Sequence, residues 1–219
     1  RYEEALAVLQ SAVESKPDEA RYRRAVGGVL LDTRQFEAAL EEFDTCLRFL
    51  PDCGDAHINR AVALIELQRR AEALVELERL RGAMSDVPQV YFNLGGIYKE
   101  FGRIDESIAA YRQALALSPE NAALHSNLLL VMNYSDGLSA AEIYAEHLRY
   151  GERFARRYVP PRPDRQWPRR LRIGYVSPDL HGHVVTYFLE PLLANHDRSR
   201  FEVFCYHTHR TKDATQERL

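Results

Sequence analysis

The chain has 219 residues, 46% of them hydrophobic and 28% charged, enough for one large domain or two small ones. Twenty-nine basic residues against thirty-two acidic ones give a net charge of −3, which leaves no basic footprint for a nucleic acid. The three cysteines, Cys46, Cys53 and Cys205, form no CxxC pair, no apolar run reaches the ~18–20 residues of a membrane span, and RYEEALAVLQ lacks a signal-peptide pattern, so a reducing cytoplasm and no membrane partner are expected.

The first 121 residues carry an internal repeat. Pro17, Pro51 and Pro119 are separated by multiples of 34, and Ser85 holds the intermediate position. The best copy reads Tyr91-x2-Leu94-Gly95-x2-Tyr98, then Ser107-x3-Tyr111, then Pro119. One period earlier stand Ala61, Leu64, Ala73 and Leu77, and one before that Val26, Gly27, Leu30, Ala39, Phe43 and Pro51. Ala5, Leu9 and Pro17 belong to a copy whose first helix is missing. This pattern resembles the tetratricopeptide repeat, a pair of helices in about 34 residues. Small residues at Gly27, Ala61 and Gly95 let the two helices approach closely, and proline ends the second helix because it lacks a donor and clashes with the preceding turn. Each pair has an uncovered face until its neighbour stacks on it.

Asn59, Asn93 and Asn127 also fall 34 residues apart, on the first helix of successive repeats. A row of amides, each with one acceptor and two donors, suits the backbone of an extended acceptor polypeptide without demanding a sequence. The competing reading is that each amide bonds within its own repeat or faces water.

Residues 122–158 read as junction helices that cap the array. Leu124 to Asn133 looks like another first helix, and Ser139 to Arg157 like a longer one. Ser139 with Glu142 three residues on is a capping box, and the apolar stripe takes in Ile143, Leu148 and Phe154. Residues 159–170 hold Pro160, Pro161, Pro163 and Pro168 among arginines, which predicts an extended, stiff connector.

At residue 171 the pattern changes. Leu171 to Val176 is a short apolar run that reads as a buried strand, followed by a polar loop with His181 and His183, an apolar helical stretch, and a second strand over Phe201 to His207. Strand, helix, strand opens a parallel α/β unit, in which ligands bind outside the C-terminal ends of the strands. No GxGxxG or GxxxxGK[ST] follows the first strand, and no partner cluster supports a metal at His181 and His183. The fold class is therefore mainly α: a tetratricopeptide solenoid over residues 1–121, then an incomplete, Rossmann-like β-α-β unit over residues 171–219.

Residues 172–179, Arg-Ile-Gly-Tyr-Val-Ser-Pro-Asp, followed by His183, Tyr187 to Leu193, His196 to Ser199 and Phe201 to Tyr206, resemble the start of the catalytic region of the O-GlcNAc transferase and SPINDLY-like glycosyltransferases, bacterial members in particular. Ser126 to Leu129, Asn133-Tyr134 and Ala141 to Tyr144 resemble the junction of the same proteins. The resemblance implies a GT-B catalytic core joined to repeats. It also implies inverting transfer of a sugar, GlcNAc first, from a nucleotide-sugar donor such as UDP-GlcNAc to Ser or Thr of acceptor proteins, with no metal or other cofactor. His183 matches the family's active-site histidine, with Val184 where animal members have proline, whereas His181 has no family counterpart and reads as a loop bystander. A GT-B enzyme needs two α/β domains, so the chain is expected to be a fragment, inactive alone. The alternative is a non-catalytic repeat scaffold that binds peptides.

Overall fold

The computed structural model describes residues 2–155, 169–208 and 213–218. They fall into two compact units, residues 1–157 and 158–219.

The first unit is helical. Helix α1 (Tyr2–Ser15) is the lone second helix that the register requires. Three pairs follow: α2 (Ala20–Asp32) with α3 (Phe36–Phe49), α4 (Gly54–Glu66) with α5 (Arg70–Ala83), and α6 (Pro88–Glu100) with α7 (Ile104–Leu117). Helices α8 (Ala122–Met132) and α9 (Ala140–Phe154) close the unit. Helices α1, α3 and α7 each stop two residues before Pro17, Pro51 or Pro119.

Close approach inside each pair comes from a small residue facing a large one. A Cβ placed on Gly27 would lie 2.6 Å from the Phe43 ring, and one on Gly95 would lie 2.9 Å from three atoms of the Tyr111 ring. The middle pair solves the same problem with Ala61 and the smaller Leu77, both fully buried in one cluster. In the third pair the buried Ser107 hydroxyl also donates to the Gly95 carbonyl at 2.6 Å. Burial pushes the Tyr111 phenol up to about 12 and the Cys46 thiol up to about 11, so both stay neutral packing groups at physiological pH.

The turns inside the pairs repeat as faithfully as the cores. Arg34, Gln68 and Gly102, again 34 apart, have positive φ of 62°, 61° and 72°. At each turn the next residue's N–H reaches back five residues: Gln35 to the Leu30 carbonyl, Arg69 to Leu64 and Arg103 to Tyr98, each at 2.8 Å. This is the Schellman motif that satisfies the last carbonyls of a helix. Only the third copy has the glycine that the left-handed conformation favours.

Helix α9 begins with the expected capping box: Glu142 N–H donates to Ser139 Oγ at 3.3 Å, and Ser139 N–H to the Glu142 carboxylate at 2.8 Å. Its inward stripe differs from the expected one. Leu148 is 49% exposed, and the buried position is the charged Glu146. The reason is a polar contact across the helix pair. His125 on α8, 2% exposed, meets Glu146 through Nε2 at 2.8 Å, with Tyr150 and Phe154 packed edge-on to its ring. Ile143, Glu146, Tyr150 and Phe154 follow helical spacing, and Leu148 lies off that line. The expected connector, residues 159–170, lies outside the described residues except for Arg169 and Arg170.

In the second unit, β1 (Leu171–Ser177) and β2 (Phe201–His207) pair in parallel, Leu171 against Phe201 through Ser177 against His207, joined by α10 (Val184–Ala194). A short α11 (Ala214–Arg218) follows. The first strand is not the buried strand its sequence suggests: Leu171 is 46% and Val176 69% exposed. Among the described residues the unit's core is small, with Leu180, Thr186 and Leu193 buried.

Gly95→Ala should lower stability by about 1–3 kcal/mol, the range for overpacking. Tyr111→Leu in that background should recover part of the loss by recreating the Ala61–Leu77 combination, read as urea midpoints of the four-member cycle. Gln68→Gly should raise stability by up to about 1 kcal/mol, because it relieves a left-handed non-glycine residue at the expense of some unfolded-state entropy.

Candidate functional site

The repeat unit offers the groove lined by its first helices. Asn59 on α4, Asn93 on α6 and Asn127 on α8 occupy equivalent positions but differ in what they bond. Asn127 Nδ2 donates to the Ala123 carbonyl of its own helix at 2.8 Å, so its amide is engaged within its repeat. Asn59 is half-buried and makes no side-chain hydrogen bond with the described residues. Asn93 is 7% exposed; its Oδ1 accepts a long bond from Gln89 Nε2 at 3.4 Å, and its Nδ2 is buried without an acceptor. A buried donor without an acceptor costs about 1–3 kcal/mol, which sets Asn93 apart from Asn59 and Asn127.

The candidate site of the second unit is the C-terminal end of its two parallel strands. His183 is the N-cap of α10: its backbone is extended, and its Nδ1 accepts from the Val185 N–H at 3.3 Å. That bond fixes the tautomer. A neutral imidazole whose Nδ1 accepts carries its proton on Nε2. His181 lies in the loop before α10. Its ring centroid lies 5.6 Å from that of His183 and 6.1 Å from that of His207, the last residue of β2. In the sequence His207 stands only as the end of the second strand run. The signal was present, since a polar residue ending the second parallel strand must come out at the same edge as the first loop. Among the described residues, no group of three or more His, Cys, Asp or Glu is arranged to hold a metal ion.

The loop between β1 and α10 is tied at several points. The Thr186 hydroxyl, on a residue only 3% exposed, donates to the His181 carbonyl at 2.6 Å, with the Asp179 carbonyl at 3.1 Å. The Gly182 N–H donates to Asp213 Oδ2 at 2.6 Å, and the Asp179 N–H to Ser177 Oγ at 3.0 Å. Thr186 is therefore the positioning residue of the loop, set one turn into the helix that His183 caps.

The family described as glycosyl transferase family 41 matches residues 154–219, and tetratricopeptide repeat families match residues 1–51, 29–87 and 95–131. Along this chain, matches to tetratricopeptide repeats are followed by a match to glycosyl transferase family 41. A probable UDP-N-acetylglucosamine–peptide N-acetylglucosaminyltransferase SPINDLY from Oryza sativa subsp. japonica is 37% identical over 106 residues, 45% of this chain and 11% of that protein. A UDP-N-acetylglucosamine–peptide N-acetylglucosaminyltransferase of Caenorhabditis elegans is 54% identical over 37 residues, 17% of this chain and 3% of its own length. Among solved structures, a mutant of the Thermobaculum terrenum O-GlcNAc transferase superposes on 100% of this chain and 40% of its own, with TM-score 0.60 and 28% identity. A MamA double mutant, TM-score 0.61 and 23% identical over 69% of this chain and 85% of its own, shares the repeat fold. The chain thus spans about a tenth of the SPINDLY relatives it matches, 11% to 12% for the first three.

Thr186→Val removes the hydroxyl and keeps the shape. Amide hydrogen exchange over residues 179–185 of the family 41 segment should speed up by about tenfold or more, while β1 and β2 keep their protection. Unchanged exchange in the loop would show that Thr186 does not hold it.

Proposed function

We propose that this chain is part of a protein O-glycosyltransferase of the GT-B type. In this reading the enzyme moves a sugar, GlcNAc first, from a nucleotide sugar to Ser or Thr hydroxyls of acceptor proteins, with inversion and without a metal. Residues 1–121 are the acceptor-binding repeats, 122–158 the junction, 159–170 the connector and 171–219 the start of the catalytic region. A cytoplasmic, bacterial-type protein fits the family resemblance of its junction and loop residues. The observation that carries the proposal is one chain aligning over its whole length with an O-GlcNAc transferase structure, with a family 41 segment following the repeats. That pairing disfavours a repeat scaffold without catalytic function.

His183 follows the first strand, on the side where α/β units bind ligands, and the bond to Nδ1 leaves its proton on Nε2. We assign it as a donor to a sugar or phosphate oxygen rather than as the base that takes the acceptor proton. The δ-protonated tautomer that a base at Nε2 requires would break the cap to Val185. On the acceptor side, Asn93 and Asn59 supply donors to the peptide backbone, and Asn127 joins them only by giving up its bond to Ala123.

The test uses the complete protein that contains this chain, incubated with UDP-GlcNAc, GDP-fucose and a Ser/Thr-rich acceptor, with the product mass identifying the sugar. His183→Ala should reduce transfer by about 10²-fold, the effect of losing one positioned hydrogen-bond donor. His183→Asn, which keeps a capping acceptor and an N–H donor, should recover part of the loss. Equal loss in both variants would favour the base, and transfer unaffected by either would remove His183 from the site.

A further inference from the structure

The groove holds a built compartment between α4 and α6, a hollow of about 280 Å³. Its walls are apolar, formed by Val62, Ile65, Phe92 and Ile97, and it carries two carboxylates, Glu66 and Glu100. No lysine, arginine or histidine lines it. Glu100 is paired with Arg70, while Glu66 is exposed and makes no ion pair or hydrogen bond with the described residues. Asn93, more than nine-tenths buried and with Nδ2 lacking an acceptor, lines the same hollow beside Gln89. Gln89 offers Asn93 half of what a peptide group would: an amide N–H for Oδ1, at a long 3.4 Å, and no carbonyl for Nδ2.

We propose that this compartment is a subsite for a lysine side chain of the bound polypeptide. The inference rests on the reading of the groove as the acceptor-binding surface and names what that surface selects. An apolar channel ending in an unpaired carboxylate matches a lysine, whose four-carbon stem packs against apolar walls while its ammonium stays at the polar rim. Asn93 would take the backbone carbonyl beside it, with Gln89 displaced. Val62 and Glu66 also wall a neighbouring hollow of about 260 Å³ that reaches Leu31 and Asp32, so the groove continues for an extended chain. That second hollow contains Arg34, placed over the Phe36 ring at 5.7 Å, so the lysine preference is confined to the compartment between α4 and α6.

The experiment measures binding of fluorescein-labelled peptides of repeating Ser-Ala-X, with X lysine, norleucine or glutamate, by anisotropy. The lysine peptide should bind about three- to tenfold tighter than the norleucine peptide at low salt, with the advantage shrinking as ionic strength rises. Glu66→Gln should remove most of that advantage and leave norleucine binding unchanged, and Asn93→Ala should weaken both. Equal binding of the lysine and norleucine peptides, or a lysine preference that survives Glu66→Gln with Glu100→Gln, overturns the subsite while the groove reading stands. No binding of any peptide overturns the groove reading and the subsite with it. A Glu66-dependent lysine preference unaffected by Asn93→Ala supports the subsite and removes Asn93 from it.

Discussion

One constraint governs the first unit: two helices of a pair can meet only where one of them lacks bulk. The Phe43 ring occupies the space a side chain on Gly27 would need, and the Tyr111 ring does the same at Gly95. Side chain and void are complementary, so the pair locks in one relative position, and the next pair must stack on the face that remains. The Schellman turns at Arg34, Gln68 and Gly102 act together with this packing. They reverse the chain in a fixed number of residues and bring each second helix back onto the small-residue site. The groove inherits its period from that geometry. Asn59, Asn93 and Asn127 on α4, α6 and α8 are 34 residues apart because the pairs are, as are Asp32, Glu66 and Glu100 at the ends of α2, α4 and α6.

In the second unit the ordering element is a helix N-terminus. His183 caps α10 through Nδ1, and Thr186, one turn on, holds the preceding loop by its hydroxyl. A single local structure thus sets both the place of the imidazole and its tautomer. The chemistry follows from the cap: a ring committed as acceptor on one nitrogen is a donor on the other. The rings of His181 and His207 lie at the same edge.

The two surfaces differ in how readily a sequence reveals them. The repeat register, the helix ends at Pro17, Pro51 and Pro119, the capping box at Ser139 and the order β1, α10, β2 were all legible. Each depends on local rules: period, capping and chain-breaking residues. The inward stripe of α9 was not, because Glu146 is buried by a partner, His125, on another helix. Periodicity assigns an inside to apolar residues and cannot foresee a charged residue satisfied across a helix pair. The exposed face of β1 escaped for a similar reason, since burial of a strand depends on what covers it rather than on its own composition.

What the sequence determined by itself is the scaffold: which segments are helices and strands, how they repeat, and which histidine and asparagines stand at its edges. These follow from interactions within a few residues of one another, or from a period that repeats them. Only the tertiary structure separated equivalent residues from one another. Asn93 is buried with an unused donor, whereas Asn127, in the same register, is engaged by its own helix. β2 also brings the His207 ring within 6.1 Å of the His181 ring, a neighbour far away in the chain. Register gives residues the same address, but hydrogen-bond partners and burial come from neighbours distant in the chain, and those neighbours decide which group remains free to act.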